Sequence, residues 1–317
     1  MRDELASDAL DDRLTALSGT WSVAHLTDAD PQVFRRNGFM AVQSIAPPDD
    51  VARIRTILER LFAARTGYGE GMLFDLVGPD DDPARAGLPQ LLDPRNYAPE
   101  LMKTAFFRNS QQLARILLGP KARFVADHAL CKPPHTGAET PWHQDDSFRP
   151  GDWIYREISI WMPLQPVGSH NGCMAFIPSS GDWDVLPHRP LSGDGRIHAL
   201  ECYSGFDPGR AVACPLPAGG CTVHTNRTLH WAGPNRSAAA RFAYVLVFGV
   251  PARKAAAAVP PYPWLQNRKE RRLDRRRQWM QSGGYLVHLA RRLRQLPQLG
   301  MRETGRRALE KLASHRE

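Results

Sequence analysis

The segment Thr140-Pro141-Trp142-His143-Gln144-Asp145-Asp146 puts an imidazole two residues before a carboxylate. On an extended strand, residues i and i+2 share a face. The spacing therefore predicts that His143 and Asp145 point at one cation from a strand. Two nitrogen ligands, one carboxylate and three open positions are the donor set of non-haem Fe(II) oxygenases. The second imidazole must come from elsewhere in the chain. His230, in Thr228-Leu229-His230-Trp231-Ala232-Gly233-Pro234-Asn235-Arg236, is placed at the end of a short strand before a turn. The tripeptide alone is weak: with 11 histidines, about half of one His-x-Asp is expected by chance.

Around these residues the chain reads as helices followed by strands. Val51, Ile54, Leu58, Leu61 and Phe62 recur at helical spacing, with Asp49 and Asp50 available as caps and Gly67 as a stop. A second helix is expected near 99–118, ended by Gly119-Pro120. From 123 onward, short apolar or alternating runs at 124–131, 156–162, 172–177, 197–202, 211–214, 221–224 and 241–250 read as strands. The run Phe242–Phe248 is apolar throughout, which predicts a central strand covered on both faces. Helices followed by strands indicate a mainly β core with helices packed on it.

Bulk properties narrow the function. The hydrophobic and charged fractions, 42% and 23%, are ordinary for a globular protein. Five cysteines without a C-x-x-C pair argue against a disulfide framework or a structural zinc site, and for a reducing cytoplasm. The acidic start, MRDELASDALDDRL, does not read as a signal peptide. No apolar run reaches the roughly 18 residues of a membrane span. The net charge of +8 is unevenly placed: from Ala252 to Glu317 there are 17 Lys and Arg against 5 Asp and Glu, leaving 24 against 28 before it. A slightly acidic body with a basic appendage does not favour a nucleic-acid-binding function for the main domain. The tail is expected to be a helix packed partly on the core. Peripheral contact with an anionic membrane or an acidic partner is the competing expectation.

The surrounding motifs resemble the phytanoyl-CoA dioxygenase-like family of Fe(II)/2-oxoglutarate-dependent oxygenases. In order they are Phe34-x-x-x-Gly38-Phe39; Pro141-Trp142-His143-Gln144-Asp145; Trp161-Met162-Pro163-Leu164; Asn171-Gly172-Cys173-Met174-x-x-Ile177-Pro178; Gly219-Gly220; and His230-x-x-Gly233-Pro234-Asn235-x-Ser237, with Arg241 eleven residues after His230. The resemblance spans about Phe34 to Val250. It implies a double-stranded β-helix (jelly-roll, cupin-like) core at about 121–252, N-terminal helices and a C-terminal helical extension. The domains would be 1–252 for the oxygenase and 253–317 for the extension. It implies Fe(II) on His143, Asp145 and His230, and the distal carboxylate of 2-oxoglutarate on Arg241, with Arg236 as a competing candidate. O2 is then the oxidant, succinate and CO2 are released, and a small molecule is oxidised. Hydroxylation, or a related desaturation or ring-forming oxidation, is implied over halogenation, because halogenating relatives lack the carboxylate that Asp145 supplies. Competing functions are a barrel that has lost catalysis and serves as a scaffold, and a membrane-recruited oxygenase of lipids.

Trp161 stands where the family often places an aromatic residue near the keto acid. Gln144 and Asp146 are candidate substrate contacts. His128, His135 and His224 lack a carboxylate two residues on and are expected to be structural or superficial. Two departures stand out: Ser179-Ser180-Gly181 replaces the family's Gly-Ser-His, and Ala232 replaces a small hydroxyl residue. Another donor to the keto acid is then needed, with Thr222, Thr225 and Lys132 as candidates.

Overall fold

The architecture was derived from a computed structural model, which describes residues 29–256, 261–266 and 268–295. The helices are α1 (Ala29–Asn37), α2 (Pro48–Ala63), α3 (Ala105–Leu118), α4 (Pro263–Gln266), α5 (Arg271–Trp279) and α6 (Tyr285–Gln295). Helix α2 begins on Pro48 with Asp49 and Asp50 in its first turn, where fixed φ and negative charge suit the free N–H groups. Its buried face is Val51, Ile54, Ile57, Leu58 and Leu61. Asp50 does not cap its own helix. Its Oδ2 accepts from Phe106 N at 2.9 Å, and with Thr104 Oγ1, which accepts from Phe107 N at 3.2 Å, it serves the start of α3. The expected helix at 99–118 is thus a 3-10 turn, Pro99–Lys103, followed by α3.

Thirteen strands form among the described residues: β1 (Phe39–Val42), β2 (Leu73–Asp75), β3 (Pro89–Leu92), β4 (Arg123–Lys132), β5 (Thr140–His143), β6 (Trp153–Pro163), β7 (Met174–Phe176), β8 (His188–Pro190), β9 (Leu200–Cys202), β10 (Val212–Cys214), β11 (Cys221–Thr225), β12 (His230–Ala232) and β13 (Arg241–Lys254). A seven-stranded sheet has the order β1-β11-β6-β13-β4-β3-β2, a four-stranded sheet the order β10-β7-β12-β5, and β8 and β9 form a hairpin pair. Every strand pair is antiparallel. The result is a jelly-roll-like sandwich rather than a closed barrel.

Strand β13 lies at the middle of the large sheet, between β6 and β4. Phe242, Tyr244, Leu246 and Phe248 pack into the core shared with α2 and α3. Ala243 and Val245 face the other way, into the core between the sheets. Both faces are covered, which is why the run shows no polar alternation. Arg241, the first residue of β13, belongs to the inter-sheet face by the same parity.

The basic C-terminal segment folds back on the acidic body. Arg271 pairs with Asp81 at 2.7 Å, Arg275 pairs with Asp80 and Arg291 pairs with Glu70 at 2.5 Å. Trp264 Nε1 donates to Ser147 O at 2.9 Å, and Lys269 N donates to Gly195 O at 2.8 Å. In the sequence, Leu286, Leu289, Ala290, Leu293 and Leu296 form an apolar stripe at helical spacing, of which Leu296 lies outside the described residues. Among the described residues, no helix is long and apolar enough to cross a membrane.

Candidate metal centre

The two short strands β5 and β12 pair so that His143 stands opposite His230. Their ring centroids are 4.1 Å apart. Each imidazole has its Nδ1 2.8 Å from a carbonyl oxygen two residues earlier, Pro141 O and Thr228 O. Nδ1–H donates to that carbonyl, so the Nε2 lone pair is left for a metal.

Asp145 completes the group, but not as the i+2 strand rule predicts. Strand β5 ends at His143, and Asp145 opens a 3-10 turn, Asp145–Phe148. The turn returns the carboxylate to the imidazoles. Asp145 Oδ1 lies 3.8 Å from Nε2 of both His143 and His230. Ser159 Oγ donates to Oδ2 at 2.9 Å. His143, Asp145 and His230 are the only three acidic or ligating residues, among the described residues, whose donor atoms all gather within 4.8 Å.

Burial acts to raise the Asp145 carboxyl, yet the His224, His230 and His143 imidazoles outweigh it and hold it well below its usual range. Burial lowers His143 and His230, keeping both neutral. A carboxylate with two neutral imidazoles is the protonation state that ligation requires. Metal bonds of about 2.1 Å set neighbouring donors roughly 3 Å apart, so sub-ångström side-chain movement closes this set on one ion.

A cavity of about 160 Å³ opens beside the triad, lined in part by Trp161, Met174, Ala232, Arg241 and Val245. Arg241 is 2% exposed. Its Nε and Nη1 have no hydrogen-bond partner among the described residues. Its guanidinium carbon lies 5.4 Å from the Trp161 ring centroid. Burial pushes its pKa down to about 10, so it remains a cation at neutral pH. A buried guanidinium with idle donors fits the carboxylate of a keto acid, which matches it in shape and charge.

The family motifs explain their own residue choices here. Gly172 has φ +82°, and a Cβ there would sit 2.4 Å from Gly233 O and 3.4 Å from Arg241 Nη2. Asn235 Nδ2 donates to the carbonyls of Lys132, Pro133 and Ala239, fixing the turn between β12 and β13.

Among the three candidate donors, Lys132 Nζ is committed to the carbonyls of Ala232 and Gly233. Thr225 Oγ1 is paired with Thr228 Oγ1 at 2.8 Å. Thr222 Oγ1 is buried without a partner among the described residues, and its strand neighbour is Trp161.

Gln144 and Asp146 are placed differently from the expectation, and His128 and His224 stand nearer the site than expected. Gln144 and Asp146 do not line the cavity. The Gln144 amide ties Asp184 O, Arg227 O and Leu186 N together. Asp146 accepts from Asn226 and Arg227. Both are buried braces of the loops around the site. His128 and His224, expected to be structural or superficial, line the cavity. His224 Nε2 stands 3.7 Å from Asp145 Oδ2, and its ring centroid is 4.3 Å from that of His230. It faces the site because it pairs with Ser159 across β11 and β6. Only that register reveals its face, and no local motif carries it.

Lys132 carries a testable consequence. Burial and the nearby Arg241 push its amine down to about 6 from an ordinary 10.5. Between these values the unfolded chain binds the extra proton, so stability should rise with pH across that window, by at most about 1.4 kcal/mol per pH unit. Urea titrations from pH 6 to 9 should show a smaller slope in Lys132→Met. An unchanged slope would contradict the burial of a depressed amine.

The sequence profile of the Phytanoyl-CoA dioxygenase (PhyH) family matches residues 34–243. A probable alpha-ketoglutarate-dependent hypophosphite dioxygenase of Stutzerimonas stutzeri is 33% identical over 131 residues, covering 39% of this chain and only 44% of that protein. The peroxisomal phytanoyl-CoA dioxygenase of Mus musculus is 24% identical over 237 residues, covering 71% of this chain and 68% of that one. Among solved structures, EvdO2 from Micromonospora carbonacea var. aurantiaca, complexed with 2-oxoglutarate, aligns at 33% identity and a TM-score of 0.66, over 76% of this chain and 98% of that chain. With the profile spanning well over half of the sequence, the chain belongs to the phytanoyl-CoA dioxygenase family of Fe(II)/2-oxoglutarate-dependent oxygenases.

Proposed function

We propose that this chain hydroxylates a small organic molecule, with His143, Asp145 and His230 as the iron ligands and Arg241 as the anchor of the 2-oxoglutarate distal carboxylate. The observation that carries this reading is Arg241: a buried cation with unpartnered donors, opening into the same cavity as the triad. Burying a charge without a partner is costly, and a dianionic co-substrate supplies the missing partner. When bound, iron and the keto acid supply an O2-driven oxidation that releases succinate and CO2. The residues of this chain supply geometry. Nδ1–H bonds to backbone carbonyls hold both imidazoles in one orientation. Ser159 fixes one carboxylate oxygen, leaving the other toward the imidazoles. Trp161 lines the same cavity wall as Arg241, and Thr222, two residues from His224 on β11 and so on the same face of that strand, carries a hydroxyl unpartnered among the described residues. A retained carboxylate at Asp145 supports hydroxylation over halogenation.

The test is succinate formation from 2-oxoglutarate with Fe(II) under air. Turnover that a chelator abolishes and Fe(II) restores is expected. A purified, folded chain that binds iron but never consumes 2-oxoglutarate would favour a scaffold instead.

A further inference from the structure

The cavity has a second polar feature, away from the iron ligands, that the oxygenase reading leaves unused. The Phe148 ring lies edge-on to His143 at 6.2 Å between centroids. On its other side Phe148 stacks on His198 at 5.3 Å and 22°. His198 lines the cavity and also meets Phe74 edge-on at 4.8 Å. It therefore stands one aromatic ring beyond the metal-binding imidazole.

Behind His198 is the C-terminal segment. His198 Nδ1 lies 2.7 Å from Glu270 Oε2. Glu270 is 4% exposed and is held by Arg268 at 2.6 Å and Arg272 at 2.7 Å. Arg268 also donates to the His198 carbonyl. The arrangement selects a tautomer. His198 Nδ1 also has Arg272 Nε at 3.2 Å and Arg268 Nη2 at 3.5 Å, but its shortest contact is the Glu270 carboxylate oxygen at 2.7 Å, where only an N–H on Nδ1 avoids two facing acceptors. Nδ1 therefore carries the proton, and Nε2 presents a bare lone pair. No hydrogen bond to Nε2 forms among the described residues. Burial holds the His198 imidazole neutral, lowering it to about 4. The His198 and arginine contacts outweigh burial at Glu270 and hold it ionised, at about 2.

We propose that His198, oriented by Glu270 of the C-terminal extension, is a substrate-binding residue that accepts a hydrogen bond from a hydroxyl group of the molecule being oxidised. The substrate class is then an uncharged alcohol whose carbon skeleton lies against Phe148 and Leu76, both in the cavity wall. The extension is part of the substrate site, because it supplies the carboxylate that sets the tautomer. This inference rests on the reading of the cavity as an oxygenase active site.

The test uses the full chain with Zn(II) replacing Fe(II), loaded with 2-oxoglutarate and labelled with ¹⁵N at histidine. It is titrated with cyclohexanol, which can donate a hydrogen bond, and with cyclohexanone, which can only accept one. Cyclohexanol should bind about five- to tenfold more tightly, the value of one net hydrogen bond, and should shift the His198 Nε2 resonance. His198→Phe keeps the ring stack and should level the two probes. Glu270→Gln, whose amide can donate to Nδ1 and move the proton to Nε2, should level them as well. Equal affinities in the wild type, binding of neither probe, or a preference that survives in His198→Phe would overturn the proposal. Failure to load zinc and 2-oxoglutarate at all would instead sink the oxygenase reading, and this inference with it.

Discussion

Asp145→Ala is expected to lower both Fe(II) affinity and 2-oxoglutarate turnover by more than about 100-fold. Loss of a residue that merely supports a ligand costs about 10- to 100-fold, so a direct ligand should exceed that range. The carboxylate is also the only negative charge among the triad's donors. Its removal leaves two neutral imidazoles facing a dication. The fold should survive. Asp145 sits in a 3-10 turn at the end of β5, its side chain is about a third exposed, and its one hydrogen bond within the described structure comes from Ser159. Metal affinity by competitive chelation, turnover by succinate release and unfolding by urea separate these effects. Wild-type turnover in the variant would remove Asp145 from the site.

Arg241→Ala should act on a different quantity. The 2-oxoglutarate requirement should rise by on the order of 100-fold, from loss of a buried charge-assisted pair worth roughly 2–5 kcal/mol, while metal affinity changes little. Stability without co-substrate should hold or increase. The wild-type chain buries a guanidinium with two idle nitrogens, which costs free energy until an anion arrives. A plain structural arginine would behave in the opposite way, losing stability and leaving the keto-acid requirement unchanged. Arg236 gives a useful contrast. It lies in the turn after His230 and is absent from the cavity wall, so Arg236→Ala should leave the 2-oxoglutarate requirement unchanged.

The contrast between these residues shows what the sequence could and could not convey. Where function rides on local spacing, the chain was readable. The α2 face from Val51 to Leu61, the doubly covered run Phe242–Phe248, and the ordered motifs from Phe34 to Arg241 led to a jelly-roll core and a shared site for His143, Asp145 and His230. Where function rides on register or loop path, it was not. Asp145 was expected on a strand, yet it reaches the imidazoles because the chain leaves β5 in a 3-10 turn. The flanking Gln144 and Asp146 then brace the neighbouring loops and are absent from the cavity wall. His224 faces the site only through the pairing of β11 with β6. His198 carries no motif, and its importance comes from Glu270, 72 residues later.

The basic tail illustrates the same limit from the side of charge. Composition marked an appended, arginine-rich segment on an acidic body. It could not show that Arg268, Arg271, Arg272, Arg275 and Arg291 meet acidic groups of their own chain. Arg271, Arg275 and Arg291 tie the tail to Asp81, Asp80 and Glu70 of the body, and Trp264 is anchored to the turn that holds Asp145.

The most direct measurement is a crystal structure grown without oxygen in the presence of Fe(II) and 2-oxoglutarate. It should show one ion bonded at about 2.1 Å to Nε2 of His143, Nε2 of His230 and a carboxylate oxygen of Asp145, with the far carboxylate of the keto acid against Arg241. An ion held by His224 in place of either imidazole, or a keto acid bound away from the guanidinium, would contradict it.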